Sequence, residues 1–218
     1  MEKSFLGFQS EHKEQATKKF EIALDELLED NISLSKRTVV EEHKKEGFDV
    51  RKKLKELKGP LIEIAGPTLG GYKIVDFNLV KDRIHVSNIY PGAPVFDGET
   101  GDFVGYYGKV NFQADAKRLP FGDERLGAIF ISCLGKINKE GLPSDIKFEE
   151  TSESKEELRK KVFEESWRIL EFGGILVFQG VTEQDLDKAE EIGFQLAQKI
   201  RVGDDMSFSA IFEKVIVK

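Results

Sequence analysis

The feature of the sequence that most constrains its fold is a series of short apolar runs that starts at Pro60 and continues far towards the C-terminus. Each run is bounded by glycine, proline or polar residues, which is typical of a strand buried inside a parallel sheet. The runs cover residues 60–65, 83–86, 110–113, 128–131 and 175–178. Because helical segments separate several of these runs, the pattern predicts an α/β protein.

A well-marked helix precedes the last of these runs. Ser154 and Glu157 have the spacing of a capping box, in which two side chains satisfy the free backbone N–H groups of the first turn. The apolar residues that follow recur at helical spacing, which gives the helix one buried face. Gly173 and Gly174 are predicted to end it, because glycine readily adopts the left-handed conformation of a helix end.

The C-terminal part of the sequence predicts one more helix and a hairpin. The helix starts at Thr182 and extends to about Ile192, with Gly193 directly after it. Two β-type runs, 196–202 and 208–217, follow and are joined by a Gly-Asp-Asp turn. We therefore expect a mostly parallel sheet with an antiparallel edge.

The N-terminal part differs from the rest because it has helical periodicity throughout. Apolar residues recur at helical spacing around 20–28, and two further helices are predicted at 36–46 and 50–57, each followed closely by glycine. We interpret residues 1–58 as a helical cap that does not fold independently and residues 59–218 as the α/β domain.

The charge of the chain restricts its partners. It has 33 basic and 40 acidic residues, a net charge of −7, and residues 1–58 carry equal numbers of each. The excess of acidic residues therefore lies in the α/β domain. Binding to a nucleic-acid backbone requires clustered positive charge, so no nucleic acid is expected as a partner.

The remaining composition predicts a soluble, cytoplasmic protein. With 39% hydrophobic residues the chain can build a core, yet it has no apolar run near the roughly 18 residues that span a membrane. The first residues lack the apolar stretch of a secretory signal. A single cysteine, Cys133, excludes a disulfide framework. We interpret Cys133 as a small core residue in preference to a nucleophile, since no base is paired with it in the sequence.

Other chemically suggestive residues have simpler interpretations. The three histidines, His12, His43 and His85, lie far apart without the spacing of metal ligands, so no metal site is predicted. The basic run Arg51–Lys55 is interspersed with acidic neighbours and is better explained as a solvated helix face than as a phosphate contact.

Polar and glycine residues follow the first four apolar runs, at the point where each predicted strand ends. In an open parallel sheet, ligands bind outside the carboxyl ends of the strands, near the point where the strand order reverses. These residues are Glu63, Gly66, Gly70, Gly71, Ser87, Asn88, Asp115, Ala116 and Ser132. We expect them to converge on one crevice.

Three segments in this order resemble the class I S-adenosylmethionine-dependent methyltransferases, especially their type-11-like group. Residues 114–121 (ADAKRLPF) are similar to the family's D-A-x-x-L-P-F segment, and 167–176 (WRILEFGGIL) to its R-x-L-x-x-G-G-x-L segment. Residues 191–194 (EIGF) resemble its Gly-Phe before strand six. The resemblance spans roughly residues 60–217 and implies a Rossmann-like methyltransferase sheet with S-adenosylmethionine as the cofactor.

The resemblance implies roles for residues after the first two strands. Glu63 would order the glycine loop, although a hydrogen-bonded carboxylate at a strand end is an equally good interpretation. Gly66 and Gly70 would let the backbone approach the methionine part of the cofactor. Asn88 would stand where the family holds the ribose hydroxyls with an acidic residue, but a turn role is the stronger interpretation.

Further roles follow for the third and fourth strands. Asp115 would accept a hydrogen bond from the adenine amino group, with the backbone of Ala116 beside the ring. The alternative for Asp115 is an ordinary loop-capping aspartate. Ser132 would face the cofactor from the end of the fourth strand.

The sequence also departs from the family pattern. Aligned from Glu63, its residues at the three glycine positions of the first motif are Ala65, Pro67 and Leu69. Residues 90–109, where a helix would be expected, are rich in glycine and aromatic residues and are interpreted as a loop. A lid over a substrate is slightly favoured for this loop over a partner surface or plain packing.

Two main functions follow from these observations. The first is a methyltransferase that acts on a small-molecule or protein acceptor; its catalytic base is not identified, and the nearby titratable candidates are Tyr90, Tyr106, Tyr107 and His85. The alternative is a non-catalytic relative whose cofactor pocket is lost or repurposed, which the altered glycine motif and Asn88 favour. Binding of a nicotinamide cofactor is weaker than both, because it needs an intact glycine fingerprint.

Overall fold

The computed structural model of the protein describes residues 18–19, 39–66, 83–96, 100, 103–132, 134, 154–201 and 208–216. Several predictions fall outside these residues. They are the first helix near 20–28, the glycine-loop residues Pro67, Leu69, Gly70 and Gly71, the burial of Cys133 and the turn at 203–205.

The described residues form strands along most of the α/β region. The strands are β1 (Leu61–Ile64), β2 (Ile84–Asn88), β3 (Ala93–Phe96), β4 (Phe103–Tyr107), β5 (Phe112–Gln113), β6 (Leu126–Ser132), β7 (Leu170–Val181), β8 (Phe194–Arg201) and β9 (Phe208–Lys214). Seven of them form one sheet in the order β5-β2-β1-β6-β7-β9-β8. β1 pairs in parallel with β2 and β6, and β6 pairs in parallel with β7, whereas β9 runs antiparallel to both β7 and β8.

This topology confirms the predicted fold class, a Rossmann-like, mostly parallel sheet with a C-terminal antiparallel hairpin. From β1 the chain moves outward to β2 and β5, and from β6 it moves outward in the other direction to β7. The strand order therefore reverses between β1 and β6. At this point Ile64 lies opposite Ser87 on one side and Ile131 on the other. The carboxyl ends of β1 and β6 thus flank the place where open α/β sheets bind ligands.

Helices cover both faces of the sheet. They are α1 (Val39–Lys45), α2 (Val50–Glu56), α3 (Lys155–Ile169) and α4 (Glu183–Ile192). α2 packs on one face, where the buried cluster contains Val50, Leu54, Leu57, Leu61, Ala128, Phe130, Ile175, Val177 and Ile211. None of the helices in the described parts of the chain is long and apolar enough to cross a membrane.

The opposite face of the sheet packs against α3 and α4. Phe163 of α3 is fully buried, and its ring centroid lies 5.4 Å from that of Phe178 and 5.5 Å from that of Phe212. Burying an aromatic or branched side chain of this size stabilises the fold by about 1.5–3 kcal/mol. Successive strand residues point alternately into the buried clusters on the two faces of the sheet, which is the two-residue period expected of a sheet covered on both sides.

The predicted helix ends are partly correct. The side-chain oxygen of Ser154 accepts a hydrogen bond from the backbone N–H of Glu157, as the capping box predicts, and Gly193 adopts the left-handed conformation (φ 117°) after α4. The prediction that Gly173 and Gly174 end the first of these helices is wrong. α3 ends at Ile169, because Leu170 already pairs with Leu126 as the first residue of β7.

The prediction of a loop at 90–109 is also wrong. β3 and β4 form a separate two-stranded antiparallel sheet in this segment. Glycine at position 92 lets the residue before β3 approach the end of β4 closely, because a Cβ atom there would lie 2.7 Å from the carbonyl oxygen of Tyr107. The alternation in the sequence is interrupted by glycines and by a bulge next to Val95, which hid the strands.

Candidate functional site at the carboxyl edge of the sheet

The turn after β1 is built around Glu63 and Gly66. Glu63 is 2% exposed although it carries a carboxylate. A Cβ atom on Gly66 would lie 2.7 Å from Glu63 Oε2 and 2.9 Å from Val86 Cγ1. The Glu63 carboxylate therefore lies directly against the backbone of the turn, and this contact requires glycine at position 66.

Ala65 occupies the first glycine position of the family motif and has the backbone conformation that explains the preference for glycine there. Its φ angle is +61°, in the left-handed region that costs an L-residue with a Cβ atom about 1–2 kcal/mol. The chain thus keeps the sharp turn after β1 with alanine in place of glycine. Alanine is half-buried and packs on the hydrophobic core, which offsets part of the backbone cost.

Asn88 connects the ends of three strands. Its Nδ2 donates to the carbonyl oxygen of Gly66 at 2.7 Å, and its Oδ1 accepts a hydrogen bond from the backbone N–H of Tyr90 at 3.2 Å. Its own carbonyl oxygen accepts the N–H of Ala114 at 3.0 Å. These bonds support the turn role that the sequence favoured over a ribose contact.

Asp115 and Ala116 follow β5 in a tight turn. Oδ1 of Asp115 accepts the backbone N–H of Lys117 at 2.9 Å, and Oδ2 lies 3.6 Å from Lys117 Nζ. The Asp115 side chain is 47% exposed, so its carboxylate can accept a hydrogen bond from a ligand at this edge. Ala116 is half-buried against the core. The aspartate is therefore a loop-capping residue and an accessible acceptor at the same time.

Ser132 ends β6 and lies opposite Gln179 on β7. Its hydroxyl donates to Gln179 Oε1 at 3.5 Å, and the two residues are 5% and 2% exposed. Gln179 was not predicted as a site residue. It could have been recognised as a polar residue directly after an apolar run, the pattern that identified Ser132.

The residues considered as catalytic bases differ in how deeply they are buried. Tyr90 is 3% exposed, and burial together with the neighbouring Tyr106 raises the pKa of its phenol above the usual value. The rings of Tyr90 and Tyr106 are 6.0 Å apart. Tyr90 is therefore protonated at neutral pH and is poorly suited to act as a base. His85 is exposed on β2, with its ring 6.5 Å from that of Phe121.

A buried ion pair holds the ends of β6 and β7 together, and the sequence analysis missed it. Arg159 of α3 forms a salt bridge with Asp185 of α4, and both side chains are almost fully buried. Arg159 Nη2 also donates to the carbonyl oxygens of Gly180 at 2.7 Å and Leu134 at 3.3 Å. The pair thus fixes the backbone that follows β6 relative to the end of β7.

The described residues contain no group of three histidine, cysteine, aspartate or glutamate side chains placed to hold a metal ion. The polar groups at this edge are instead hydrogen-bond donors and acceptors and turn backbone. Such an arrangement can bind and orient an organic ligand.

No protein-family model and no curated protein matches the chain. Similar solved structures include a TehB-like SAM-dependent methyltransferase from Corynebacterium glutamicum, with 18% identity, 77% of this chain and 90% of that chain covered, and a TM-score of 0.42. A SAM-dependent methyltransferase from Methanosarcina mazei has 12% identity, 73% and 94% coverage, and a TM-score of 0.41.

A third similar structure is the geranyl diphosphate C-methyltransferase from Streptomyces coelicolor A3(2), which was solved with S-adenosyl-L-homocysteine. Its identity is 11%, the match covers 72% of this chain and 74% of that chain, and the TM-score is 0.43. The class of the fold itself follows from the strand order described above: a Rossmann-like α/β protein with a mostly parallel sheet and an antiparallel C-terminal hairpin.

Proposed function

We propose that the protein is an S-adenosylmethionine-dependent methyltransferase that acts on a small-molecule or protein acceptor. The observation that carries the proposal is the hydrogen-bonded connection of the Ala65–Gly66 turn, the end of β2 and the start of the Asp115 loop at the carboxyl edge of the sheet, beside the strand-order reversal. In open α/β sheets this is where ligands bind. Of the three motifs that resemble the methyltransferase family, residues 114–121 form this Asp115 loop, whereas residues 167–176 lie on α3 and β7 and residues 191–194 join α4 to β8.

The residues at this edge fit an adenosyl ligand. The exposed carboxylate of Asp115 can accept a hydrogen bond from an adenine amino group, which carries two N–H donors. Ile89, next to Asn88, is 44% exposed and offers an apolar surface to a nucleobase. The left-handed turn at Ala65 turns the backbone sharply at the end of β1, where the methionine part would lie.

Glu63, Asn88 and Ser132 have supporting roles in this proposal. Glu63 and Asn88 contact the turn at Gly66, so they shape the backbone that faces the ligand. Ser132, at the end of β6 beside Gln179, would face the ligand from the other side of the reversal. Gly70 is assigned to the same loop by the family resemblance.

When bound, S-adenosylmethionine supplies an electrophilic methyl group on a sulfonium centre. The chain's own residues contribute by holding the ligand in one orientation and by excluding water from the crevice. The excess of acidic residues in the α/β domain favours a small-molecule or protein acceptor over a nucleic acid.

Calorimetric titration with S-adenosylmethionine and S-adenosylhomocysteine tests the proposal. We expect micromolar binding by the full chain and at least a tenfold loss of affinity in Asp115→Ala. Asp187→Ala, which removes an exposed carboxylate on α4, is the matched control and should bind as the unaltered protein does. Absence of heat and of a thermal shift at millimolar ligand would leave the non-catalytic scaffold as the better account.

A further inference from the structure

We infer that Glu165 and Arg168 of α3 are positioning residues that hold the loop 115–121 in the conformation that recognises adenine. This inference rests on the proposed function. It attributes the selectivity for adenine over other nucleobases to Glu165 and Arg168, which contact the loop from α3, in addition to Asp115 in the loop itself.

Glu165 binds the loop backbone directly. Its Oε1 accepts the N–H of Leu119 at 2.6 Å, and the Glu165 side chain is only 8% exposed. Arg168 donates to both carboxylate oxygens, from Nε to Oε2 at 2.8 Å and from Nη2 to Oε1 at 2.7 Å. This two-pronged pair fixes the carboxylate with respect to α3, and the carboxylate fixes Leu119.

Arg168 extends the contact to the following residues. Its Nη1 donates to the carbonyl oxygen of Phe121 at 3.0 Å and to Oδ1 of Asp123 at 2.6 Å. The hydrogen bonds to the carboxylates of Glu165 and, second, of Asp123 raise the pKa of the Arg168 guanidinium, which stays charged. One guanidinium therefore joins α3 to Phe121, at the end of the loop, and to Asp123, just beyond it.

The other end of the loop is held by the sheet. The N–H of Ala114 donates to the carbonyl oxygen of Asn88 at 3.0 Å. Between this anchor and Leu119, the turn at Asp115 is closed by the N–H groups of Lys117 and Arg118, at 2.9 Å each. Asp115 thus lies on a short segment whose two ends are both fixed.

The chemistry of the contact between Glu165 and Leu119 indicates a positioning role. The Glu165 carboxylate is buried and costly to desolvate, although Arg168 is 37% exposed, and an apolar residue of similar size at such a position often stabilises a protein as well or better. Here the carboxylate binds a loop backbone 46 residues away in sequence, where an apolar side chain could not accept the N–H. A loop that is already ordered before its ligand binds loses less conformational entropy on binding, so the ligand binds more tightly.

The test compares S-adenosylhomocysteine with S-inosylhomocysteine, in which an oxo group replaces the adenine amino group. The unaltered protein should prefer the adenosyl ligand at least tenfold. In Glu165→Leu, whose apolar side chain cannot accept the N–H of Leu119, this preference should fall towards equality, chiefly through weaker adenosyl binding. Glu164→Leu, at the neighbouring exposed position on α3, is the matched control and should keep the full preference.

Arg168→Lys is the second variant, in case Glu165→Leu does not fold. It keeps the positive charge and loses the two-pronged contact, so it should also lower the preference. An unchanged ratio between the two ligands in folded variants would overturn the inference, even if both affinities fall together. If the unaltered protein binds neither ligand, the proposed function fails, and the inference fails with it.

Discussion

Asn88 donates a 2.7 Å hydrogen bond from its side-chain amide to the carbonyl oxygen of Gly66, so the end of β2 holds the turn that follows β1. A carboxylate has no N–H group and cannot make this bond. The Asn88 amide, which the resemblance aligns with an acidic residue of the methyltransferase family, is therefore coupled to the shape of this chain's first turn.

Asn88→Asp is predicted to destabilise the protein. The substitution removes the donor and sets a negative charge beside a buried carbonyl oxygen, which we expect to cost about 1–3 kcal/mol of unfolding free energy. Urea unfolding measures the change. Asn111→Asp is the control, because Asn111 uses its side-chain oxygen to accept the N–H of Val86, and aspartate keeps that oxygen. Equal effects of the two substitutions would contradict the assigned bond.

Gly66→Ala is predicted to destabilise the turn after β1. The new Cβ atom would lie 2.6 Å from Glu63 Cδ, so the buried carboxylate or the backbone must shift, at a cost of about 1–3 kcal/mol. At Gly122 the nearest atom to a new Cβ is Arg125 Cγ, at 3.6 Å. Gly122→Ala should therefore change the midpoint of thermal unfolding little. A Gly66→Ala variant as stable as Gly122→Ala would show that the turn is loosely packed.

His43 is predicted to make the protein less stable in mild acid. It is fully buried between Gln198 Oε1, at 2.7 Å from Nδ1, and Ser209 Oγ, at 2.8 Å from Nε2. Burial lowers its pKa below the usual 6.5, and the hydrogen bond to Gln198 opposes this only partly. Just below pH 6.5 the unfolded chain therefore binds a proton that the folded protein does not, and stability falls as the pH falls.

Urea unfolding at pH 7.5 and pH 5.5 measures this dependence. Because other groups also titrate, the informative quantity is the difference between the unaltered protein and His43→Gln. The variant should lose less stability between the two pH values. An identical loss in both proteins would mean that His43 does not titrate differently in the folded and unfolded states.

Asp185→Asn is predicted to be strongly destabilising. It leaves the buried guanidinium of Arg159 without its charged partner, which typically costs about 3–5 kcal/mol. Glu183→Gln, on the same helix, breaks an exposed pair with Lys199 and should cost about 0–1 kcal/mol. Unfolding by urea separates the two cases. Similar small losses would indicate that water reaches Arg159.

The architecture could be predicted from the sequence because it depends on local periodicity. The short apolar runs near residues 128–131 and 175–178 lie inside β6 and β7, and the helix signals at Ser154 and Thr182 mark real helix starts. The exact end of α3 could not be predicted, since it depends on pairing between Leu170 and Leu126. The boundary at residues 58 and 59 between cap and domain stays a prediction.

The contacts that shape the candidate site join residues that are far apart in sequence. Glu165 reaches Leu119, and Arg159 reaches Asp185. No spacing rule relates such partners, and each separate residue has an ordinary surface interpretation. The ligand contacts assigned to Asp115, Ala116 and Ser132 likewise stay predictions, because they concern a ligand and not the fold.

Hydrogen exchange with and without S-adenosylhomocysteine tests the location of the proposed site most directly. The account predicts that bound ligand slows exchange in peptides covering residues 61–66 and 112–121, beyond any uniform slowing across the sheet. Peptides from 194–201 and 208–214, in the C-terminal hairpin, should show no such extra protection. Binding that protects the hairpin, and leaves both strand-end peptides unchanged, would contradict a ligand site at the reversal between β1 and β6.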